Sequence, residues 1–152
     1  MKINVKRIPV DGEDLTGSEP PEILELSDTD VLFERPVTFD LHAQLQGHSL
    51  LVTGRLRTEV TLRCSRCLEV FRQALVVGQF VVLQELQGED FVDLTPQMRE
   101  DIILELPQRA LCQPDCKGLC AVCGKDLNEG ACGCKVKKED LRWQALNRLK
   151  LK

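Results

Sequence analysis

Aromatic side chains are scarce in this chain. They make up 4% of its 152 residues, and tyrosine is absent. Proteins that stack RNA bases on aromatic platforms need exposed rings, so this composition argues against that mode of binding. We expect the few aromatic residues to lie in the core: Phe33, Phe39, Phe71, Phe80, Phe91 and Trp143.

Long hydrophobic runs are also missing. No segment predicts a membrane span, and residues 1–7 lack the apolar run of a secretory signal. We therefore expect a cytoplasmic protein with no membrane partner, in a reducing compartment where disulfides are disfavoured. With 43% hydrophobic and 29% charged residues, the chain predicts one ordinary globular domain with a small appendage.

Negative charge predominates, but unevenly. Residues 1–108 contain 10 Lys and Arg against 19 Asp and Glu, whereas residues 109–152 contain 10 against 5. The chain is therefore predicted to consist of an acidic body, residues 1–108, and a basic, cysteine-rich part, residues 109–152. A basic surface favours an anionic partner such as RNA, but charge alone fits a merely solvated terminus equally well.

Eight cysteines are arranged in closely spaced pairs. Four thiolates are the ligands of a closed structural zinc site, with Zn–S distances of about 2.3 Å. A metal that joins distant segments also offsets the loss of entropy on loop closure. We predict two zinc ions, one bound by Cys64, Cys67, Cys112 and Cys116 and the other by Cys120, Cys123, Cys132 and Cys134. Gly124, directly after Cys123, is expected to have a positive φ.

Other uses of the cysteines compete with zinc. Disulfides conflict with the expected compartment. A thioredoxin-like pair at Cys64 and Cys67 needs a helix that starts at the first thiol, whereas the flanking sequence alternates like a strand. Cys116, Cys120 and Cys123 have the spacing of a radical iron–sulfur enzyme, but the 29 residues after Cys123 are too few for its barrel. An iron–sulfur redox carrier remains an alternative and predicts coloured, iron-containing protein.

Hydrophobic periodicity predicts an α+β protein, an antiparallel sheet or barrel-like body with one packed helix. Residues 11–30 are acidic and rich in turn-forming residues, and are expected to pack poorly. A helix is predicted over residues 95–106, with Thr95 as N-cap, Pro96 in the first turn and Pro107 after its end. A second helix is predicted over residues 139–149. Strands are expected near residues 2–9, 37–45, 50–62, 70–83 and 90–94, with Cys64–Cys67 at a hairpin tip.

The sequence offers little support for catalysis. His42 and His48 lie away from the cysteines, Asp90 and Asp93 are expected to be solvated, and four thiolates leave zinc no open position for water. We therefore expect a non-enzyme. The basic residues that are candidates for contact with RNA phosphates are Arg66, Lys117, Lys125, Lys135, Lys137, Lys138 and Arg142.

The cysteine-rich half of the chain resembles the bacterial YceD family. The resemblance is carried by Cys64-Ser-Arg-Cys67, by the run from Leu111 to Asn128, by Cys132-x-Cys134 and by Asp140-x-Arg142. It covers residues 64–149, and only the general plan of the family extends upstream. Some relatives lack the last cysteine cluster but keep the first pair, which implies that Cys64, Cys67, Cys112 and Cys116 act as one unit. Leu141 stands where the family commonly has proline, which leaves the start of the terminal helix undefined.

What the resemblance implies is a non-catalytic factor for accumulation, processing or assembly of large-subunit (23S) ribosomal RNA. The partners would be this rRNA or its precursor, ribosomal proteins, or both, with no small-molecule substrate. The alternative is a zinc-dependent protein-interaction adaptor whose acidic body binds a basic partner without touching RNA.

Overall fold

The computed structural model describes residues 1–26 and 28–134. In this part of the chain, short 3₁₀-helices occupy Val5–Arg7 and Pro21–Leu24. The remaining elements are β1 (Lys2–Asn4), β2 (Glu13–Glu19), β3 (Val31–Leu32), β4 (Val37–Gln46), β5 (Ser49–Arg63), β6 (Val70–Glu85), β7 (Phe91–Asp93) and α1 (Thr95–Leu104). The predicted α+β character, with an antiparallel sheet and one helix, is confirmed.

The main sheet is built around β5. Strands β3 and β4 pair with successive stretches of one edge of β5, β6 pairs with the other edge, and β2 extends the sheet beyond β4. All these pairs are antiparallel, while β1 and β7 form a separate two-stranded sheet. Strands β4 and β5 follow the predicted alternation, because most of its apolar positions form the buried face: Val37, Leu41, Ala43, Leu50, Val52, Leu56, Val60 and Leu62.

An irregularity bends the long β5–β6 pair. Gly54 pairs with Phe80 and Leu56 with Val77, so Arg55 alone lies opposite the two residues Gly78 and Gln79. This extra residue in β6 is a β-bulge, which increases twist and bends a strand. The sheet accordingly curls into a half-barrel. The burial pattern of β6 reflects the extra residue, because the buried positions 75 and 77 are followed by 80 and 82 rather than by 79 and 81.

Residues 11–30 contain a strand that was not predicted. All of β2 pairs with β4, from Glu13↔Ala43 to Glu19↔Val37. Most described side chains of this stretch are exposed, as expected, with Leu24 at 2% exposure as an exception, so backbone pairing rather than side-chain packing holds this polar edge strand. The ring of Phe39 lies against the backbone of Gly17, its partner on β2, since a Cβ added to Gly17 would be only 2.7 Å from the ring.

Three smaller predictions also need correction. The N-terminal strand ends at Asn4, because Val5–Arg7 turns into a 3₁₀-helix. Helix α1 has Leu94 as N-cap rather than Thr95, and it ends at Leu104 rather than at residue 106. Asp93, one residue ahead of that N-cap, instead accepts hydrogen bonds from the backbone N–H (3.0 Å) and hydroxyl (2.7 Å) of Thr95.

The aromatic residues are only partly in the core. Phe80 is fully buried, and Phe33, Phe39 and Phe71 pack against the core while partly exposed. Phe91 is 59% exposed, against expectation, because its neighbour Val92 takes the inward position on β7. Trp143 and the predicted helix over residues 139–149 lie outside the described residues.

Candidate metal centre

The eight cysteines come together in two sets of four, as predicted. Within each set the sulfur atoms all lie within 4.8 Å of one another. Tetrad 1 consists of Cys64, Cys67, Cys112 and Cys116, and tetrad 2 of Cys120, Cys123, Cys132 and Cys134. All eight cysteines are free thiols, so the disulfide alternative has no support in this structure.

The sulfur spacing in tetrad 1 suits a single small ion. Sγ of Cys64 lies 3.8 Å from Sγ of Cys116, and Sγ of Cys67 lies 3.5 Å from Sγ of Cys112. A tetrahedral ion with metal–sulfur distances of about 2.3 Å requires sulfurs roughly 3.8 Å apart. Cys64 and Cys116 are at most 1% exposed, so an ion here would be shielded from water.

The two Cys-x-x-Cys turns have the same backbone structure. In the first, the N–H of Cys64 donates to the carbonyl of Glu69 (2.8 Å) and the N–H of Leu68 donates to the carbonyl of Cys64 (3.0 Å). In the second, Cys120 donates to the carbonyl of Lys125 (2.8 Å) and Gly124 to that of Cys120 (2.8 Å). The two hairpin-like turns therefore present their thiols in the same way.

Both turns need a left-handed residue after the second thiol. Gly124 has φ 74°, which confirms the predicted positive φ. Leu68 occupies the matching position with φ 64°, a conformation that costs a side chain with a Cβ roughly 1–2 kcal/mol. The left-handed conformation of Leu68 was not predicted, although the alignment of Leu68 with Gly124 in the two Cys-x-x-Cys turns indicates it.

The first thiol of each turn is easily ionised. Burial alone would raise the pKa of Cys64, but backbone N–H groups, led by that of Cys67, lower it to about 6. The N–H groups of Cys123 and Val122 lower the pKa of Cys120 to about 6, and the latter nitrogen lies 3.4 Å from the sulfur. These donors favour the thiolate form that a metal ion requires.

Other thiols of the same tetrads resist ionisation. Burial, with the neighbouring thiols, raises the pKa of Cys112. Interaction with the Cys123 thiol, followed by burial, raises the pKa of Cys134 to about 12. Four thiolates so close together repel one another unless a cation lies between them. The donor set therefore fits a thiophilic divalent cation, which would displace the remaining protons.

Backbone contacts attach the segment after α1 to the β5–β6 hairpin tip. Ser65 N–H donates to the carbonyl of Ala110 (2.9 Å), and Leu119 N–H donates to the carbonyl of Arg66 (3.0 Å). The Arg66 guanidinium in turn donates to the carbonyl of Cys116 (2.7 Å). These contacts bring Cys112 and Cys116 to the hairpin thiols, although the two pairs are far apart in sequence.

The predicted RNA-contact residues have different surroundings. Lys117 and Lys125 are exposed beside the tetrads, whereas one guanidinium nitrogen of Arg66 is engaged by Cys116. Their contact with RNA stays a prediction. The other candidates lie outside the described residues: Lys135, Lys137, Lys138 and Arg142.

The polar residues considered for catalysis are engaged away from the cysteines. His42 Nδ1 lies 2.6 Å from a carboxylate oxygen of Asp14, on neighbouring strands. Asp90 forms an ion pair with Lys6 at 2.6 Å, and Asp93 bonds to Thr95. In the described residues, no helix has the length and apolar character needed to cross a membrane.

Comparison with known proteins gives one family and several relatives. The family model described as "Large ribosomal RNA subunit accumulation protein YceD" matches residues 81–150. An uncharacterized protein of Mycobacterium tuberculosis is 32% identical over 122 residues, which cover 70% of this chain and 58% of the relative. No solved structure matches the chain significantly.

Two plant proteins carry the family name. Both are named "Large ribosomal RNA subunit accumulation protein YCED homolog 1, chloroplastic". The Arabidopsis thaliana protein is 23% identical, over 76% of this chain and 49% of its own length. The Zea mays protein is 25% identical, over 66% and 49%. The chain thus spans between about half and three fifths of the length of these curated relatives.

The family match includes six of the eight cysteines, while Cys64 and Cys67 precede it. The fold joins these two thiols to Cys112 and Cys116, so tetrad 1 links the matched segment to the upstream part of the sheet. Residues 81–150 of this chain thus match the YceD family, whose name two of its relatives carry.

Proposed function

We propose that this protein is a non-catalytic zinc protein that supports the accumulation of large-subunit (23S) ribosomal RNA in the cytoplasm. The observation that carries the proposal is the family match, with relatives named for large-subunit rRNA accumulation. A role in rRNA processing or in assembly of the large subunit is part of the same proposal. Its partners are the rRNA or its precursor, ribosomal proteins, or both.

Zinc is the metal that the tetrads fit best. Zinc takes four thiolates in tetrahedral geometry, and the sulfur spacings of tetrad 1 agree with that geometry. An iron–sulfur redox carrier is the competing assignment and would give coloured protein with bound iron. Metal analysis of the purified chain separates these two assignments.

A structural role follows from the closed ligand sets. A catalytic zinc keeps a coordination position for water or substrate, whereas four cysteines per ion leave none. In this proposal the two ions hold the cysteine-rich segment, including exposed Lys117 and Lys125, in a fixed position on the sheet. The basic side chains then meet RNA phosphates, together with those predicted at residues 135–142.

The second candidate function is a protein-interaction adaptor. Exposed apolar side chains lie together on the outer face of the sheet, where Val81 is 61% exposed and Leu83 64% exposed. Leu51 lies across from Leu83, and Val76 lies further along the same strand. An apolar patch of this kind suits a protein partner better than RNA. In this case a ribosomal protein, rather than rRNA, would be the direct contact.

The test of the proposed function is genetic complementation. In cells that lack the gene for this protein, we expect the ratio of large-subunit to small-subunit rRNA to fall, and the chain to restore it. A variant with Cys64→Ser and Cys67→Ser should fail to restore the ratio, whereas His48→Ala, on an exposed turn, should restore it. An rRNA ratio that does not respond to the gene would contradict the proposal.

Crosslinking in the same cells separates RNA contact from the adaptor. Sequencing of RNA attached to the protein should show enrichment of 23S precursor. The enrichment should fall when the charges of Lys135, Lys137 and Lys138 are removed, since phosphate contacts depend on charge. A chain that restores the rRNA ratio but shows no enrichment of 23S precursor after crosslinking would favour the adaptor.

A further inference from the structure

Asn128 connects the two tetrads. It lies between Cys123 and Cys132, inside the loop whose ends are ligands of tetrad 2. Its side-chain Nδ2 nevertheless donates to Sγ of Cys116, a member of tetrad 1, at 3.3 Å. The acceptor sulfur is buried, since Cys116 is 1% exposed, while Asn128 is half-buried. The loop of one tetrad thus supplies an outer-sphere donor to the other.

The orientation of the Asn128 amide is fixed by its second contact. The backbone N–H of Lys117 donates to Oδ1 at 2.8 Å, and an N–H donor can be met only by the oxygen. The nitrogen must therefore face the sulfur. A donor to a thiolate stabilises the charged form and helps to hold a metal ligand in position.

The loop that carries Asn128 also pairs with the end of tetrad 1. The N–H of Leu127 donates to the carbonyl of Gly118 (2.9 Å), and Leu119 forms a β-bridge with Asp126. Asn128 N–H donates to the Asp126 carboxylate at 2.8 Å, which shapes the turn before the amide. Residues 117–119 and 126–128 therefore form a small paired unit between the two sets of thiols.

A purely local role for Asn128 explains only part of this arrangement. Asparagine often stabilises a turn through its own backbone, and accepting the Lys117 N–H is a contact of that kind. Such a role requires Oδ1 alone and leaves Nδ2 free to face water. Here Nδ2 is directed at a buried thiol of the other tetrad, so the side chain contributes to the surroundings of that site.

We propose that metal binding at tetrad 2 raises the metal affinity of tetrad 1, and that Asn128 transmits the effect. A metal at tetrad 2 fixes the ends of the loop and thereby holds the amide against Cys116. The coupling is reciprocal, as any coupling between binding sites must be. This inference rests on the proposed zinc sites.

The test is a metal titration of the full chain with Co²⁺ and Zn²⁺. Co²⁺ reports tetrahedral thiolate binding by its visible absorption, and competition with a chromophoric chelator gives the Zn²⁺ affinities. Asn128→Ala should lower the affinity of tetrad 1 by roughly tenfold, the lower end of the effect usual for an outer-sphere partner. Glu129→Ala, an exposed neighbour in the same loop, should leave both affinities unchanged and serves as the matched control.

A double-mutant cycle identifies the coupling. Cys132→Ser disables tetrad 2 and should weaken binding at tetrad 1 by roughly tenfold, within the range usual for coupled sites. In the Asn128→Ala background that further loss should disappear. Asn128→Asp keeps the acceptor for Lys117 but removes the donor and adds a negative charge, so it should weaken tetrad 1 at least as much as Asn128→Ala does.

The outcomes separate this inference from the proposed function. If each of the two ions binds Asn128→Ala as tightly as it binds the wild type, the coupling is overturned and the zinc sites stand. The coupling is also overturned if Cys132→Ser weakens metal binding at tetrad 1 by the same factor with and without Asn128. A wild-type chain that binds no metal would overturn both the coupling and the proposed metal role.

Discussion

Gly118 shows, at the scale of one residue, how closely the two halves of tetrad 1 approach each other. It is buried with φ 73°, and a Cβ there would lie 2.9 Å from the carbonyl oxygen of Arg66. Gly124 has nearly the same φ, 74°, but a Cβ added there would have no neighbouring atom within 4 Å. An alanine at position 124 would therefore introduce backbone strain alone, whereas an alanine at position 118 would introduce backbone strain and a steric clash.

We predict that Gly118→Ala is more harmful than Gly124→Ala. The latter should cost about 1 kcal/mol, the penalty of a left-handed alanine. The former adds displacement of the Arg66 backbone and should cost about 2 kcal/mol or more, with weaker metal binding at tetrad 1. Denaturant unfolding of the metal-loaded variants measures the difference, and equal losses would contradict the close approach.

Leu68 is the residue where a substitution should help. It is 53% exposed and has a left-handed backbone, so it buries little surface in return for its strain. Leu68→Gly should raise the free energy of unfolding by up to about 1 kcal/mol, because relief of strain exceeds the added entropy of the unfolded chain. Thermal unfolding beside Val122→Gly, an exposed apolar residue on the second turn, tests this, and a lower melting temperature for Leu68→Gly would contradict it.

At the scale of single elements, α1 depends on a residue just before it. Thr95 donates two hydrogen bonds to the Asp93 carboxylate, and these lower the pKa of that carboxyl below its usual range. A lowered pKa in the folded state means that the stabilisation is complete above the ordinary pKa of aspartate. It is lost as the pH falls through the lower, folded-state pKa.

Asp93→Ala should therefore destabilise the protein by about 1 kcal/mol at neutral pH, as loss of a helix cap does. The difference from the wild type should shrink as the pH falls below about 4. Asp90→Ala is the matched control, since the Asp90 side chain forms an exposed ion pair with Lys6. Equal effects of the two substitutions in urea unfolding at pH 7 would show that the Asp93–Thr95 hydrogen bonds contribute nothing.

The long strands could be predicted because their apolar residues alternate over many positions and bury one face. Strand β2 could not, because an edge strand with polar side chains leaves no such pattern; its stability comes from backbone pairing with β4. The N-cap of α1 was misplaced because Thr95 and Pro96 fit two adjacent helix starts equally well. The grouping of the eight thiols followed from spacing and loop closure. Asn128 did not, since its contact with Cys116 depends on tertiary structure.

At the scale of the whole molecule, tetrad 1 joins the sheet to the cysteine-rich segment. Two of its thiols lie at the β5–β6 hairpin tip, and the other two follow α1. The apolar core lies between the sheet and α1 and forms a cluster distinct from that of the cysteines, although Phe71 packs against both. Metal removal is therefore expected to loosen residues 109–134 while the sheet persists, a difference that hydrogen exchange resolves residue by residue.

Metal binding should also depend on pH in a defined way. Cys64 and Cys120, with pKa values lowered to about 6, are mainly thiolates at neutral pH, so each ion should release fewer than four protons on binding. Below about pH 6 protons compete at these two thiols as well, so the apparent metal affinity should fall more steeply with decreasing pH than it does above pH 6. Calorimetry in buffers of different ionisation enthalpy counts the protons, and release of four per ion at pH 7 would contradict the lowered pKa values.

Native mass spectrometry of the full chain, combined with elemental analysis, tests whether the eight thiols form two closed single-ion zinc sites. We expect a mass increase of two zinc ions per chain, one of which is lost in Cys120→Ser, and no iron. Coloured protein with bound iron, or a chain that carries no metal and has the same stability with and without chelator, would contradict it.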